Sequence, residues 1–284
     1  MRSKICLMAI LLSLLPVISY AQKENNSPML ELYVKSGMQK QIEQLPSLMQ
    51  TLFDDSIREN EEMQKLPKST LSAMRASLPE AFAPERLKEA VLAELTGKLS
   101  DQEIKEGIDW FDSPVGKKFT QLEEAASTPE AQAEIEQYTA HLPDSPPTAE
   151  RLKVLQEFDS AVKDTEDAIE MAVDMQVAVA LGMIATLPVE KRKGLEDVER
   201  EVEKTKPVVE AEVRSQMLAF HLYAYRSMTE AEIQQYTQFA KSPAGSKYNS
   251  AAMAALKKAI LQSAVKWGQL IGDVMEKMKG NSEA

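Results

Sequence analysis

Leu99-Ser100-Asp101-Gln102-Glu103-Ile104, followed by Trp110-Phe111-Asp112-Ser113-Pro114-Val115-Gly116-Lys117-Lys118-Phe119, is the stretch whose reading decides the fold. Ser100 is a helix N-cap, and Glu103 is placed to return a hydrogen bond to the cap amide, which makes a reciprocal capping box. Leu99 before the cap and Ile104 after it have the spacing of a hydrophobic staple. Three turns on, Ser113-Pro114 opens a second helix: serine caps well, and proline suits the first helical position because the N–H it lacks has no partner there. The same program recurs 129 residues later, as Met228-Thr229 with Glu232 and Ile233, then Phe239-Ala240-Lys241-Ser242-Pro243-Ala244-Gly245-Ser246-Lys247-Tyr248. A capped short helix that turns into another helix, written twice, predicts an all-α protein. Its expected architecture is two related helical bundles from an internal duplication, with no significant β-sheet.

Composition agrees. Glycine is scarce at 10 of 284 residues, while Ala, Leu, Glu, Lys, Gln and Met are plentiful, and these are strong helix formers. No segment alternates apolar and polar residues with β-branched enrichment, and no Asn-Gly or Asp-Gly hairpin signal occurs. Helices are expected near Pro28 to Gln44, Pro46 to Gln64, Lys68 to Leu78, Pro84 to Gly97, Asp101 to Phe111, Pro114 to Ala126 and Pro129 to Ala140. His141-Leu142-Pro143-Asp144-Ser145-Pro146-Pro147-Thr148 carries three prolines in eight residues and cannot continue a helix. The expected organisation is therefore a helical repeat over 22–140, a Pro-rich linker at 141–148 and a second repeat over 149–284. Within the second repeat, helices are expected at Ala149 to Lys163, around Ala168 to Leu187, Val189 to Lys204, Pro207 to Ser227, Ala231 to Ala240, and Pro243 to about Lys277.

Residues 1–21 read as a secretory signal peptide. Arg2 and Lys4 give a basic start, Ile5 to Val17 an apolar stretch too short to span a bilayer, and Ser19-Tyr20-Ala21 small residues for the peptidase. The protein is thus expected to be exported, and periplasmic in a host with two membranes. Cys6 falls inside this segment, so the mature chain is cysteine-free, which excludes disulfides, thiolate metal sites and a cysteine nucleophile. Loss of Arg2 and Lys4 takes the formal net charge from −11 by two to −13. An acidic protein of this kind is not expected to bind nucleic acid or anionic lipid, since both demand clustered Lys and Arg. Ile169 to Leu187 approaches transmembrane length, but Glu170, Asp174 and Gln176 point to a buried or partner-covered helix.

The pattern of aromatic residue, two spacers, then Ser-Pro-x-Gly-x-Lys, behind a signal peptide in an acidic helical chain, resembles the exported bacterial family catalogued as domain of unknown function 2059. The resemblance rests on Trp110 to Lys118 and Phe239 to Lys247. It implies a helical periplasmic protein and supplies no catalytic residues.

The candidate sites are sparse. Gly116 and Gly245 fall in the first turn of a helix, where glycine costs stability relative to alanine, so another helix, or a ligand, should approach closely there. Ser113, Gly116, Lys118, Ser242, Gly245 and Lys247 are the candidate ligand or close-packing positions, combining free amides at a positive helix end with nearby lysines, the ingredients of an anion site. Ser100, Glu103, Thr229 and Glu232 are structural caps; as an alternative, Glu103 and Glu232 could meet as the acid and base of a hydrolase at the interface of the repeats. Trp110, Phe239, Phe119 and Tyr248 look like an aromatic wedge. His141 and His221, the only two histidines, lie far apart with no Cys or His at ligand spacing, and read as a solvated and a core residue. Met171, Met175 and Met183 repeat every four or eight residues, as a core stripe does. Leu256, Ile260, Trp267, Leu270, Val274 and Met278 form a heptad-like seam that would suit a homodimer. No catalytic residue, metal or cofactor is assigned. The function expected is non-enzymatic: a binding or interaction module of the cell envelope for a protein, peptide or apolar ligand. A carboxylate hydrolase is the alternative, and a structural or self-assembling envelope protein the second.

Overall fold

The computed structural model describes residues 27–282, and all of it is helix and turn; no strand occurs among the described residues. The expected signal peptide at 1–21 lies outside them. In chain order the helices are α1 (Pro28–Lys35), α2 (Met38–Glu59), α3 (Glu61–Gln64), α4 (Lys68–Ala76), α5 (Leu78–Ala81), α6 (Pro84–Leu95), α7 (Asp101–Asp112), α8 (Pro114–Ala126) and α9 (Pro129–His141). After the exposed proline-rich connection come α10 (Ala149–Val162), α11 (Asp164–Ala185), a 3-10 turn (Val189–Lys191), α12 (Leu195–Ala224), α13 (Glu230–Lys241) and α14 (Pro243–Ser282).

Two prolines are not breaks. α2 runs straight through Pro46, and α12 through Pro207, where the sequence pattern predicts helix boundaries. An interior proline forfeits a hydrogen bond and costs roughly 3 kcal/mol. In α2, Ile42, Met49 and Phe53 are all buried on one stripe that spans Pro46; at roughly 1.5–3 kcal/mol each, their burial outweighs the penalty. In α12, Pro207 is exposed, so its ring meets solvent rather than a packed neighbour. The actual break in the first segment is at Ser36-Gly37, where Gly37 takes φ +81°. A Cβ there would come within 2.8 Å of Thr120 Cγ2, so glycine is required twice over, by conformation and by space.

The halves do not bury separate cores. The first core gathers Leu32, Phe82, Leu87, Leu95 and Phe111 from the N-terminal half with Ala255, Ala259, Ala264 and Ile271 of α14. The second gathers Phe119 and Ile135 with Phe158, Tyr225 and Ile233. α14 is 40 residues long, about 60 Å, and serves as the spine on which α4 to α7 and α11 are laid. Its seam residues Leu256, Ile260, Trp267, Leu270 and Val274 all pack against the first core, Trp267 edge-on to Phe53 at 5.7 Å.

α11 is the one described helix long and apolar enough to cross a membrane. Its contacts with α14 advance together along both chains, Asp174 with Lys257, Gly182 with Val265, Thr186 with Gly272, so the two helices run parallel. Ala178, Gly182 and Thr186 face Ala264, Gly268 and Gly272, small residues every four positions that bring the backbones together: a Cβ on Gly182 would sit 2.1 Å from the Val265 carbonyl. Lys257 reaches Glu170 at 2.7 Å and Asp174 at 2.6 Å, which explains the two acids beyond the first turn of α11, whose start also carries Asp164, Glu166 and Asp167. Met171, Met175 and Met183 are partly buried and lie against the edge of the first core.

Candidate functional site

The two Ser-Pro turns adopt the same local structure. Glu103 N–H donates to Ser100 Oγ at 3.3 Å and Ser100 N–H to Glu103 Oε2 at 2.7 Å; the counterparts at Thr229 and Glu232 measure 3.2 and 2.8 Å. Ser113 Oγ accepts from Gly116 N–H at 3.0 Å, and Ser242 Oγ from Gly245 N–H at 3.1 Å. Each serine amide also donates back to the preceding helix, to the Trp110 or Phe239 carbonyl at 2.9 Å. That fold-back explains the glycines. A Cβ would lie 2.2 Å from the Trp110 carbonyl oxygen at Gly116, and 2.0 Å from that of Phe239 at Gly245. Backbone, not open space, fills the place of the missing side chains.

The hairpins α7–α8 and α13–α14 then lock onto each other. The Trp110 and Phe239 rings stack at 4.8 Å and 10°, with Tyr236 stacked on Trp110 at 5.6 Å. Lys118 Nζ lies 2.9 Å from Glu232, and Lys247 Nζ 2.7 Å from Glu103. Each motif lysine therefore neutralises the capping glutamate of the other hairpin. The Lys247 ammonium, aided by the Ser100 amide and hydroxyl, holds the Glu103 carboxyl down at about 2; Lys118 and the Thr229 amide lower Glu232 likewise. The six candidate positions are thus brought to one interface, where the serines cap, the glycines meet backbone and the lysines are ion-paired. Glu103 and Glu232 each serve their own cap and the opposite lysine.

Beside this interlock lies a cavity of about 330 Å³, walled by Met38, Phe111, Phe158, Met217, Phe220 and Met253 and touched by Glu123, Asp164, Tyr236 and Asn249. Of its lining, the sequence reading names Phe111 within the motif and Tyr248 and Leu256 for packing, and none of Glu123, Asp164, Tyr236 and Asn249. Glu123, on α8, accepts a hydrogen bond at Oε1 from the fully buried Tyr225 hydroxyl, 2.7 Å away. Burial pushes its carboxyl up to about 7, against the pull of Tyr225 and His221. The Asn249 side-chain nitrogen is buried and has no hydrogen-bond partner among the described residues.

His221, 2% exposed at the end of α12, donates from Nε2 to Asp164 Oδ2 at 2.8 Å and stacks on Tyr225 at 5.8 Å and 19°. Asp159, at the end of α10, accepts from both the amide and the hydroxyl of Thr165 at 2.9 Å. His141, by contrast, is exposed where α9 meets the linker. The core reading of His221 was open to sequence; its carboxylate neighbours, 57 and 62 positions earlier, carried no local signal.

Fold and site together define an all-α protein with an interlocked pair of capped hairpins flanking a mostly apolar cavity. Residues 85–144 match a bacterial family described as "Uncharacterized protein conserved in bacteria (DUF2059)". The matched segment covers α6 to α9 and contains the first of the two motif copies, Trp110 to Lys118; the second copy, Phe239 to Lys247, lies outside it. No curated protein and no solved structure matches the chain.

Proposed function

We propose that this is an exported binding protein of the cell envelope, whose ligand is a small, mainly apolar molecule bearing a polar head. The observation that carries this reading is the 330 Å³ cavity between the hairpins and α12, at the lower end of the range for ligand pockets. Its walls are aromatic and thioether side chains, which adapt to apolar shapes. Two polar groups converge on it: the Asn249 amide, whose unmet donor costs about 1–3 kcal/mol that a ligand acceptor offsets, and the Glu123 carboxyl. Export rests on the basic, apolar and small-residue order of residues 1–21. The non-enzymatic reading is supported by the engagement of Glu103 and Glu232 in caps and ion pairs, which leaves the hydrolase alternative without its free acid and base.

Titration with a naphthylamine dye, fluorescent only in apolar surroundings, tests this. Saturable one-to-one binding is expected, weakened at least tenfold by Met253→Trp, which fills the cavity. Binding that does not saturate, or that is equal in a folded Met253→Trp protein, overturns the reading.

A further inference from the structure

We infer that Asp159, Asp164 and His221 form a binding site for a divalent transition-metal cation of the zinc class. The three residues come from the ends of three helices, α10, α11 and α12, and offer one ligand atom each, all within 4.8 Å of one another. A tetrahedral cation with bonds of about 2.0–2.2 Å holds its donors roughly 3.3–3.6 Å apart, so small rotations of the two carboxylates close the set around an ion. The inference goes beyond the proposed cavity ligand and does not depend on it.

The donors are prepared in the way metal ligands are. His221 is held between rings, edge-on to Phe158 at 5.5 Å and stacked on Tyr225, so the direction of its Nε2 is fixed by packing; an ion there takes the place of the Nε2 proton shared with Asp164, the neutral ring carrying its proton on Nδ1 instead. Asp159 has Oδ1 engaged by the Thr165 amide and hydroxyl, which orients the carboxylate and leaves Oδ2 for another partner. Hydrogen bonds of this outer kind fix ligand geometry and basicity in metal sites generally. The two aspartates are carried round by Lys163 at φ +63°, a left-handed turn one residue before Asp164.

Charge supplies an independent argument. Neither Asp159 nor Asp164 forms an ion pair with a lysine or arginine among the described residues. Two aspartates and one imidazole share a half-buried region where uncompensated negative charge is expensive. A cation relieves it. The donor chemistry selects the class: an imidazole with two carboxylates and no thiolate fits zinc and its neighbours, whereas calcium and magnesium take all-oxygen sets. Three protein ligands leave a fourth position open. Asp164 also borders the 330 Å³ cavity, and its side chain is 31% exposed, so that position has both a route to solvent and room for water.

The test is equilibrium dialysis of the purified, untagged protein against zinc, with metal counted by elemental analysis, together with the ligand-field absorption of the cobalt-loaded form. One equivalent is expected to bind wild type, and Asp159→Asn, Asp164→Asn and His221→Gln should each weaken binding at least tenfold. His141→Gln should leave it unchanged. Zinc should raise the melting temperature of wild type and not of the Asp variants. If His221→Gln fails to fold by circular dichroism, the two near-isosteric Asp→Asn variants decide the matter. Failure of wild type to take up one equivalent, or equal uptake by the folded site variants, overturns the inference.

Discussion

Lys118 Nζ sits 2.9 Å from both carboxylate oxygens of Glu232, the residue that closes the capping box of the opposite hairpin. The side chains are 35% and 25% exposed, so solvent screens the pair only in part. A double-mutant cycle on Lys118→Met and Glu232→Gln should return a coupling of about 0.5–1 kcal/mol in urea unfolding, at the upper end for a surface pair. The exposed pair Lys204 and Glu201, within one helix, makes the control, and its coupling should be the smaller of the two. Equal coupling for the two pairs would mean that the cross-hairpin bridge is decoration rather than a lock.

The motif glycines make a sharper prediction, because its sign is opposite to the usual rule. Glycine to alanine inside a helix ordinarily gains up to about 1 kcal/mol. At Gly116 and Gly245 the new methyl meets a backbone carbonyl at 2.2 and 2.0 Å, and neither helix can yield without undoing its Ser-Pro turn. Each substitution should instead cost about 2–3 kcal/mol, an overpacking penalty, measured by denaturant unfolding. Gly194→Ala, where the nearest side-chain atom is 3.9 Å away, should cost only the poorer N-cap of α12, about 1 kcal/mol or less. A neutral Gly245→Ala would refute the close-approach account of the motif.

What could be read from sequence was what is local. Capping boxes, staples and Ser-Pro starts are contained within four to six residues, and Ser100, Thr229, Ser113 and Ser242 all cap as their spacing predicts. Proline reports a local cost and says nothing of its surroundings: the stripe of Ile42, Met49 and Phe53 repays that cost at Pro46, and at Pro207 the ring faces solvent inside a continuous helix. The small-residue series Ala264, Gly268, Gly272 and Ala178, Gly182, Thr186 stands in the sequence at the helical interval of four; only the pairing of one series with the other needed coordinates. The cavity and the Asp159, Asp164, His221 cluster had no local signature, since their members reach one place only through the packing of α8, α10, α11, α12 and α14.

That seam between α11 and α14 can be tested by forcing it open. A Cβ on Gly268 would stand 2.1 Å from the Val179 carbonyl, mirroring Gly182 against Val265. Gly182→Ala and Gly268→Ala should each destabilise by about 2–3 kcal/mol. The double variant should lose clearly less than the sum, because one methyl already moves the backbones apart for the other. Strict additivity in guanidinium unfolding would show that the two glycines do not share one crossing.

Glu123 predicts an unusual pH dependence. Its carboxyl is raised from 4.5 to about 7, chiefly by burial. An acid raised in the folded state holds its proton there at pH values where the unfolded chain has released it, so ν is larger for the native form. The contribution is therefore fully present below about 4.5 and is withdrawn as pH climbs through the window to about 7. On the scale of 1.4 kcal/mol per unit, this amounts to roughly 3 kcal/mol. Glu103 and Glu232 act in the opposite sense: their lowered values mean that stability is lost on acidification, so the wild-type profile alone mixes the two trends. The difference between wild type and Glu123→Gln isolates the buried group, since glutamine keeps an acceptor for the Tyr225 hydroxyl and cannot ionise. With a chelator present, Glu123→Gln should gain on wild type from pH 5 to pH 7 and level off by pH 8, by urea unfolding at each pH. A constant difference across that range would place the ionisation of Glu123 outside the window and its carboxylate in contact with solvent.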